Sequence, residues 1–145
     1  MSILVFVIIN TSYSQSVTPF GPRAGIGYLN DNGKSSLEDG IHSAFGWQVE
    51  VPFKDDKLTG YGEAGIYLLG IEQGKFFPHV WGYFGVRYNN TGLGAGPVLN
   101  AMGFGIGLSA YNQIELDRIR VPIGIDVNLI DGTTRTQLFI GFNFK

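Results

Sequence analysis

Hydrophobic and polar residues alternate one by one along most of this chain. Between residues 119 and 130, six apolar side chains occupy every second position, and the intervening positions include Arg120 and Asp126. Successive side chains of a β-strand point to opposite faces, so this period of two predicts a strand with one apolar face. Residues 138–144 and 45–53 repeat the pattern. No stretch shows a helical period, and the chain is therefore predicted to be an all-β protein.

Turn-forming clusters separate the alternating segments. Two examples are Asp31-Asn32-Gly33-Lys34 and Asp131-Gly132-Thr133, which combine residues that favour tight turns. We predict eight antiparallel strands, near residues 20–30, 41–53, 58–71, 76–89, 91–98, 102–111, 117–130 and 134–145. The fifth is short and rich in glycine, and the count falls to seven if that segment is a loop.

The residue composition of the face opposite the apolar one indicates whether the apolar face points outward or into a core. It carries many of the chain's 22 glycines, and charged residues make up only 15% of the sequence, well below the usual quarter. A soluble exterior would carry abundant Lys, Glu, Ser and Thr, whereas a narrow lumen needs small residues and a few balanced charges. We therefore predict a closed, antiparallel, up-and-down transmembrane β-barrel of eight strands, with its apolar face toward lipid.

Six isolated charges along the strands are the candidate site. Charges that are shut away from water are costly unless they are paired, so we expect arginines and carboxylates to pair inside the barrel. The alternative is that they are solvated on the outside of a soluble sheet. This predicted lumen network is Arg23, Glu50, Glu63, Arg87, Arg120 and Asp126.

Aromatic residues on the apolar strands are candidates for the girdles that mark the two membrane–water interfaces. Girdle residues must face outward, toward the headgroups. The predicted set is Trp47, Phe53, Tyr61, Tyr88, Phe142 and Phe144.

The N-terminus has the pattern of an export signal. Residues 3–9 are apolar, and Ser12 and Ser14 are small residues two apart, as a signal peptidase requires. We predict a signal peptide over 1–14 and a single barrel domain over 15–145. No Lys or Arg precedes the apolar run, where such signals normally have one, which suggests a start further upstream. The alternative is a buried N-terminal strand.

Composition excludes several kinds of chemistry. The chain has no cysteine, which excludes disulfides and cysteine metal sites. A net charge of −2 gives no basic footprint for nucleic acid, and two histidines, His42 and His79, are too few for an all-histidine metal cage.

Pairing His79 with Ser109 in a Ser-His-acid arrangement has no support in the spacing. We expect His79 at an interface or loop end, His42 at the edge of the second strand, no cofactor and no enzymatic activity.

Four segments resemble a known group, the small outer-membrane β-barrel proteins of Gram-negative bacteria. The likeness is greatest to the eight-stranded porin-family and outer membrane protein A-like barrels common in Bacteroidetes, and it covers the whole mature chain as a pattern. The segments are Ser12-Tyr13-Ser14-Gln15, Phe20-Gly21-Pro22-Arg23-Ala24-Gly25-Ile26-Gly27, Gly92-Leu93-Gly94-Ala95-Gly96-Pro97 and Leu138-Phe139-Ile140-Gly141-Phe142-Asn143-Phe144.

The resemblance implies a location in the outer membrane and contact with outer-membrane lipid. It also implies assembly by the barrel-insertion machinery, which reads an aromatic-x-aromatic signal in the last strand; Phe142 and Phe144 match that signal. Lys145 stands where an aromatic residue usually ends the chain, and Phe139 stands at a glycine position of the family. Both chain termini are then expected on the periplasmic side.

Three classes of function remain open. The first is a non-enzymatic outer-membrane barrel with a plugged lumen, which stabilises the envelope or presents loops to an outside partner. The second is a small-solute or lipid-handling pore, which requires a less filled lumen. The third is a soluble, ligand-holding barrel, which requires the apolar face inside.

Overall fold

The structure is a computed structural model that describes residues 20–30, 40–53, 57–68, 79–100, 103–130 and 133–144. The predicted signal peptide and most of the predicted loops lie outside these residues. The strands are β1 Phe20–Asn30, β2 Gly40–Pro52, β3 Leu58–Leu68, β4 His79–Tyr88, β5 Thr91–Asn100, β6 Gly103–Glu115, β7 Ile119–Ile130, β8 Thr133–Gly141 and β9 Asn143–Phe144.

The strands form one closed antiparallel barrel. Each strand from β2 to β8 pairs with its neighbour in the sequence, and β1 pairs with both β2 and β8. β9 continues β8 between β1 and β7, so β8 and β9 count as one strand and the barrel wall has eight strands. The predicted fold class and strand count are confirmed, and the glycine-rich fifth segment is a strand. Among the described residues, no helix is long and apolar enough to cross a membrane.

The pairing register fixes the shape of the barrel. We start at Tyr88 of β4 and step from each residue to its paired residue on the next strand. After one full circuit of the barrel this path returns to β4 at Val80, eight residues from the start. A shear of eight for eight strands corresponds to a strand tilt of about 36°. At 3.3 Å per residue, a ten-residue strand with this tilt rises roughly 27 Å along the barrel axis.

One end of the barrel, here called the terminus end, carries the first and last described residues and three hairpin turns. The turn between β4 and β5 is the pair Asn89-Asn90, and Asn89 has a φ of 51°, a conformation that asparagine tolerates. The Asn89 N–H donates to the Lys57 carbonyl at 2.8 Å, and the Gln113 N–H donates to the Asn90 carbonyl at 2.8 Å. The β4–β5 turn is therefore tied to the β2–β3 turn on one side and to strand β6 on the other. The opposite end is called the loop end.

The last strand is interrupted at Phe142, and a proline explains the interruption. Phe142 lies opposite Pro22 of β1, and its N–H donates to the Pro22 carbonyl at 3.0 Å. Proline has no N–H, so it cannot return the second hydrogen bond of an antiparallel pair. The register on both sides of the break is unchanged, as the pairs Arg23 with Gly141 and Phe20 with Phe144 show.

Candidate functional site: the interior of the barrel

The barrel wall has apolar side chains outside and polar side chains inside, which is the reverse of a soluble β-barrel. Large apolar side chains alternate along the strands on the outer face and are exposed, as with Phe84 and Leu138. Among the buried described residues, polar and charged side chains outnumber apolar ones. The buried polar set is Arg23, Gln48, Glu50, Thr59, Glu63, His79, Arg87, Ser109, Gln113, Asp126, Asn128, Arg135, Gln137 and Asn143.

Glycines on the inner face make room for the aromatic side chains that fill the lumen. The Tyr61 ring crosses from β3 and lies against Gly85 of β4, where an added Cβ would be 2.6 Å from the ring. The Tyr61 hydroxyl reaches Gly94 of β5, and the Trp81 ring lies against Gly65 in the same way. Without these glycines the rings would overlap the wall, so the glycine positions and the filling of the lumen depend on each other.

Glu50 is the centre of a charge cluster near the terminus end. Its carboxylate is fully buried and accepts from Arg120 Nη1 at 2.8 Å, Arg87 Nη2 at 3.3 Å and Asn143 Nδ2 at 3.3 Å. Arg87 also donates to Thr59 Oγ1 at 2.9 Å. One carboxylate therefore joins strands β2, β4, β7 and β9, and we call these four side chains, Glu50, Arg87, Arg120 and Asn143, the terminus-end cluster.

Arg120 connects this cluster to the rim of the barrel. Its side chain is 20% exposed, and its Nε lies 3.3 Å from Oε1 of Glu115, whose side chain is 42% exposed. Gln113 Nε2 donates to the same Glu115 oxygen at 3.2 Å. Arg120 thus has one buried and one exposed carboxylate partner.

Arg23 occupies the middle of the lumen. It forms an ion pair with Glu63 of β3, and its guanidinium carbon lies 3.4 Å from the centroid of the Phe139 ring and 5.4 Å from that of Tyr111. Trp81 Nε1 donates to Glu63 Oε1 at 3.3 Å. Contacts with ring faces stabilise a guanidinium, so Arg23 is held by charge and by aromatic packing together.

The structure places the six predicted lumen residues inside the barrel and brings five of them together in two groups. Glu50, Arg87 and Arg120 meet near the terminus end, and Arg23 meets Glu63 in the middle. The sixth, Asp126, is buried, and the hydrogen bond to its Oδ2 comes from Gln137 Nε2 at 3.2 Å rather than from an arginine. The contribution of these pairs to stability stays a prediction.

Sequence reasoning missed a charge and misplaced an aromatic residue. Arg135 of β8 is 1% exposed and lies inside the barrel; it shares its face with Gly141 and Asn143, so counting back by twos from them would have found it. Tyr61 was predicted to face lipid as a girdle residue, and this is wrong, because the side chain is buried in the lumen. Alternation is weak around Tyr61, where Gly60 and Gly62 occupy the outer face.

The candidate enzyme residues are not brought together as a triad. His79 is the first residue of β4 and pairs with Tyr67 in the register, whereas Ser109 lies in the middle of β6 opposite Asp126. His79 is buried at the loop end. Within the described ranges, no group of three or more His, Asp or Glu side chains is arranged to hold a metal ion.

Most predicted outward aromatics are exposed on the outer wall: Trp47, Phe53, Tyr88, Phe142 and Phe144. Trp47 stacks on Phe20, with ring centroids 6.0 Å apart. The two residues of the predicted insertion signal therefore lie on the outer face of the closing strand, near the terminus end.

Comparison with solved structures finds this barrel in bacterial surface proteins. Ail, the attachment invasion locus protein of Yersinia pestis, has a TM-score of 0.66 at 10% identity, covering 88% of this chain and 96% of that chain. Neisserial surface protein A, NspA, has a TM-score of 0.65 at 14% identity, covering 88% and 96%. Ail in a phospholipid bilayer nanodisc has a TM-score of 0.56 at 12% identity, covering 86% and 97%.

Comparison of the sequence itself finds no counterpart, since no protein-family model and no curated protein matches it. At 10% to 14% identity, the likeness to Ail and NspA is one of fold. The chain is therefore a closed eight-stranded antiparallel barrel of the kind seen in Ail and NspA.

Proposed function

We propose that this chain is a non-enzymatic β-barrel of the Gram-negative outer membrane, with a filled lumen, which stabilises the envelope or presents its loops to an outside partner. The observation that carries the proposal is the inverted polarity of the wall, with exposed apolar side chains outside and paired charges inside. An apolar band suits hydrocarbon, and a closed barrel leaves no unpaired strand edge in it.

The proposal includes the surroundings and the route of assembly. Outer-membrane lipid is the partner of the outer wall, and the barrel-insertion machinery is the partner during assembly, through Phe142 and Phe144. The predicted signal peptide, 1–14, supplies export. The structural neighbours support this location, since Ail is an outer membrane protein and NspA a surface protein. No nucleic-acid partner is proposed.

The packing of the lumen favours a plugged barrel over a pore. Rings such as Tyr61 and Trp81 lie directly against inner-face glycines, and the terminus-end cluster crosses the lumen between strands that are not neighbours. A small-solute or lipid-handling pore would need this space to be open. The soluble, ligand-holding alternative needs the apolar face inside, which is the reverse of the observed burial.

Membrane fractionation combined with a heat-modifiable gel shift tests the location. We expect the protein in the outer-membrane fraction, with the unheated barrel migrating differently from the boiled chain. Recovery of the folded barrel in the soluble fraction without detergent would contradict the proposal.

Conductance in planar bilayers tests the filled lumen. We expect no stepwise openings from the unmodified barrel, and openings from Trp81→Ala, which removes a lumen-filling ring and shows that the assay detects an open barrel of this size. Stepwise openings from the unmodified protein would favour the pore. Release of acyl chains from lipid A that is lost in His79→Ala would instead contradict the absence of enzymatic activity.

A further inference from the structure

The middle of the lumen contains buried polar atoms that make no hydrogen bond with any other described residue. Four of them are oxygens, and the residues that carry them are between 0% and 4% exposed. Buried polar groups in folded proteins nearly always have a partner, because an unpartnered one loses its hydration without compensation. The four are the Tyr61 hydroxyl, Ser109 Oγ, Asp126 Oδ1 and Gln137 Oε1.

The register places these oxygens side by side on consecutive strands. Ser109 of β6 is paired with Gly94 of β5 on one side and with Asp126 of β7 on the other, and Asp126 is paired with Gln137 of β8. The Tyr61 hydroxyl lies at Gly94, where an added Cβ would overlap it. Ser109 is thus beside both the Tyr61 hydroxyl and the Asp126 carboxylate. The four oxygens therefore form one polar patch on the inner wall.

Arg23 brings unpartnered N–H groups to the same patch. Its guanidinium forms an ion pair with Glu63 through Nη1, and its Nε and Nη2 donate to no acceptor among the described residues. Asp126 and Arg23 are near enough to attract each other, but no direct ion pair joins them in the described part of the chain. The hydrogen bonds of both groups therefore have to be completed by something that lies between them.

The ligand that fits must both donate and accept hydrogen bonds. Asp126 Oδ1 and Gln137 Oε1 only accept, whereas the Arg23 N–H groups only donate. Ser109 and Tyr61 carry one O–H each, so turning both toward the carboxylate still leaves Gln137 Oε1 and the Arg23 N–H groups without a partner. A cation would be repelled by Arg23 and would leave its N–H groups unpaired, and an anion would be repelled by Asp126.

We propose that the middle of the lumen is a binding site for ordered water, which accepts from the Arg23 guanidinium and donates to Asp126 Oδ1 and Gln137 Oε1. Buried water typically makes about three hydrogen bonds to polar groups that otherwise have no partner. The site connects Asp126 to Arg23 across the lumen without direct contact. It goes beyond the envelope role proposed above and does not depend on it, because it requires only the folded barrel.

Water-selective NMR of the folded barrel in detergent micelles tests the site directly. The probe is water itself, and the signal is the cross-peak between the water resonance and the Arg23 Nε–H resonance of the unmodified protein. The sign of the rotating-frame cross-peak separates a dipolar contact from proton exchange. The ratio of laboratory-frame to rotating-frame intensity separates a held water from bulk solvent. We expect a dipolar cross-peak from a held water at Arg23.

Two substitutions of Asp126 form a matched pair. Asp126→Leu keeps the branching of the side chain but has no acceptor, and we expect the cross-peak to be lost. Asp126→Asn keeps an acceptor oxygen and should retain the cross-peak. Asn112→Leu is a further control, because it removes a polar side chain that is exposed on the outer face of the neighbouring strand β6, and it should leave the cross-peak unchanged.

Three results would overturn the proposal. The first is no dipolar cross-peak at the Arg23 Nε–H of the unmodified chain, a measurement that does not depend on any variant folding. The second is a cross-peak that Asp126→Leu and Asp126→Asn retain equally. The third is loss of the cross-peak when sodium chloride is added to the unmodified protein, which would mean that an ion takes the site. Recovery of the barrel outside the outer membrane would contradict the proposed function and leave these NMR results unchanged, so the two proposals can fail separately.

Discussion

Removing the charge of Glu50 tests how the interior of the barrel is held together. The substitution Glu50→Gln keeps the size of the side chain but leaves the Arg87 and Arg120 guanidinium groups without the buried carboxylate that they share, at 3.3 Å and 2.8 Å. Breaking a buried ion pair from one side typically costs 3–5 kcal/mol, because an uncompensated charge remains.

The structure places the expected loss of unfolding free energy for Glu50→Gln at the lower end of that range. Arg120 is 20% exposed and retains Glu115 at 3.3 Å, so it loses less than Arg87, whose side chain is only 5% exposed. The glutamine oxygen also still accepts a hydrogen bond. We expect the free energy of unfolding to fall by about 3 kcal/mol, or roughly a hundredfold in the ratio of folded to unfolded chain.

Urea unfolding of the barrel in lipid vesicles, followed by tryptophan fluorescence and by the gel shift, measures this change. Glu115→Gln is the matched control, since it removes a carboxylate from the same arginine at a side chain that is 42% exposed, and exposed pairs contribute about 1 kcal/mol or less. If Glu50→Gln and Glu115→Gln lowered the stability equally, the buried carboxylate of Glu50 would contribute no more to the stability of the barrel than an exposed one.

Three further predictions test the lumen, the outer wall and the closing strand. Gly65→Ala puts a methyl group into the Trp81 ring and should lower stability by about 1–3 kcal/mol in urea unfolding, whereas Gly82→Ala, whose nearest neighbouring atom is 3.8 Å away, should be neutral; equal effects would refute the packing argument. Leu108→Arg, on the exposed outer face, should cost about 2–4 kcal/mol in vesicles if that position lies in hydrocarbon, and an unchanged stability there would contradict the membrane orientation. Phe144→Ala should reduce the yield of assembled barrel in outer membranes while the purified chain still refolds in detergent, and normal assembly in cells would remove Phe144 from the insertion signal.

The alternation of apolar and polar residues was sufficient to predict the wall of the barrel. In β7, every second residue from Ile119 faces outward and Asp126 faces the lumen, as the period of two requires. The pattern predicts the face of a residue but not its partner. The pairing of Glu50 with Arg120, 70 residues away, depends on closure of the barrel and on its shear.

Failures occurred where both faces of a strand carry similar residues. In β3 the outer face includes Gly60 and Gly62, so the aromatic Tyr61 between them resembled the lipid-facing residues of other strands. In β8 the residues before Leu138 are polar on both faces, and Arg135 was not assigned to the lumen. Local alternation has no information at such positions, and only the register of the neighbouring strands determines the face.

The fit between large inner side chains and glycines also limits how this interior can change over evolution. Tyr61 extends across β4 to Gly94 of β5, where an added Cβ would overlap its hydroxyl, so Tyr61 requires a glycine at position 94. A relative that has a small residue at position 61 has room for a bulkier one at position 94, whereas position 85 stays closed by the carbonyl of residue 93. Paired changes of this kind, between two strands that are separated by a third strand, would identify distant homologues whose overall sequence similarity has been lost. They also provide a rule for redesigning the lumen.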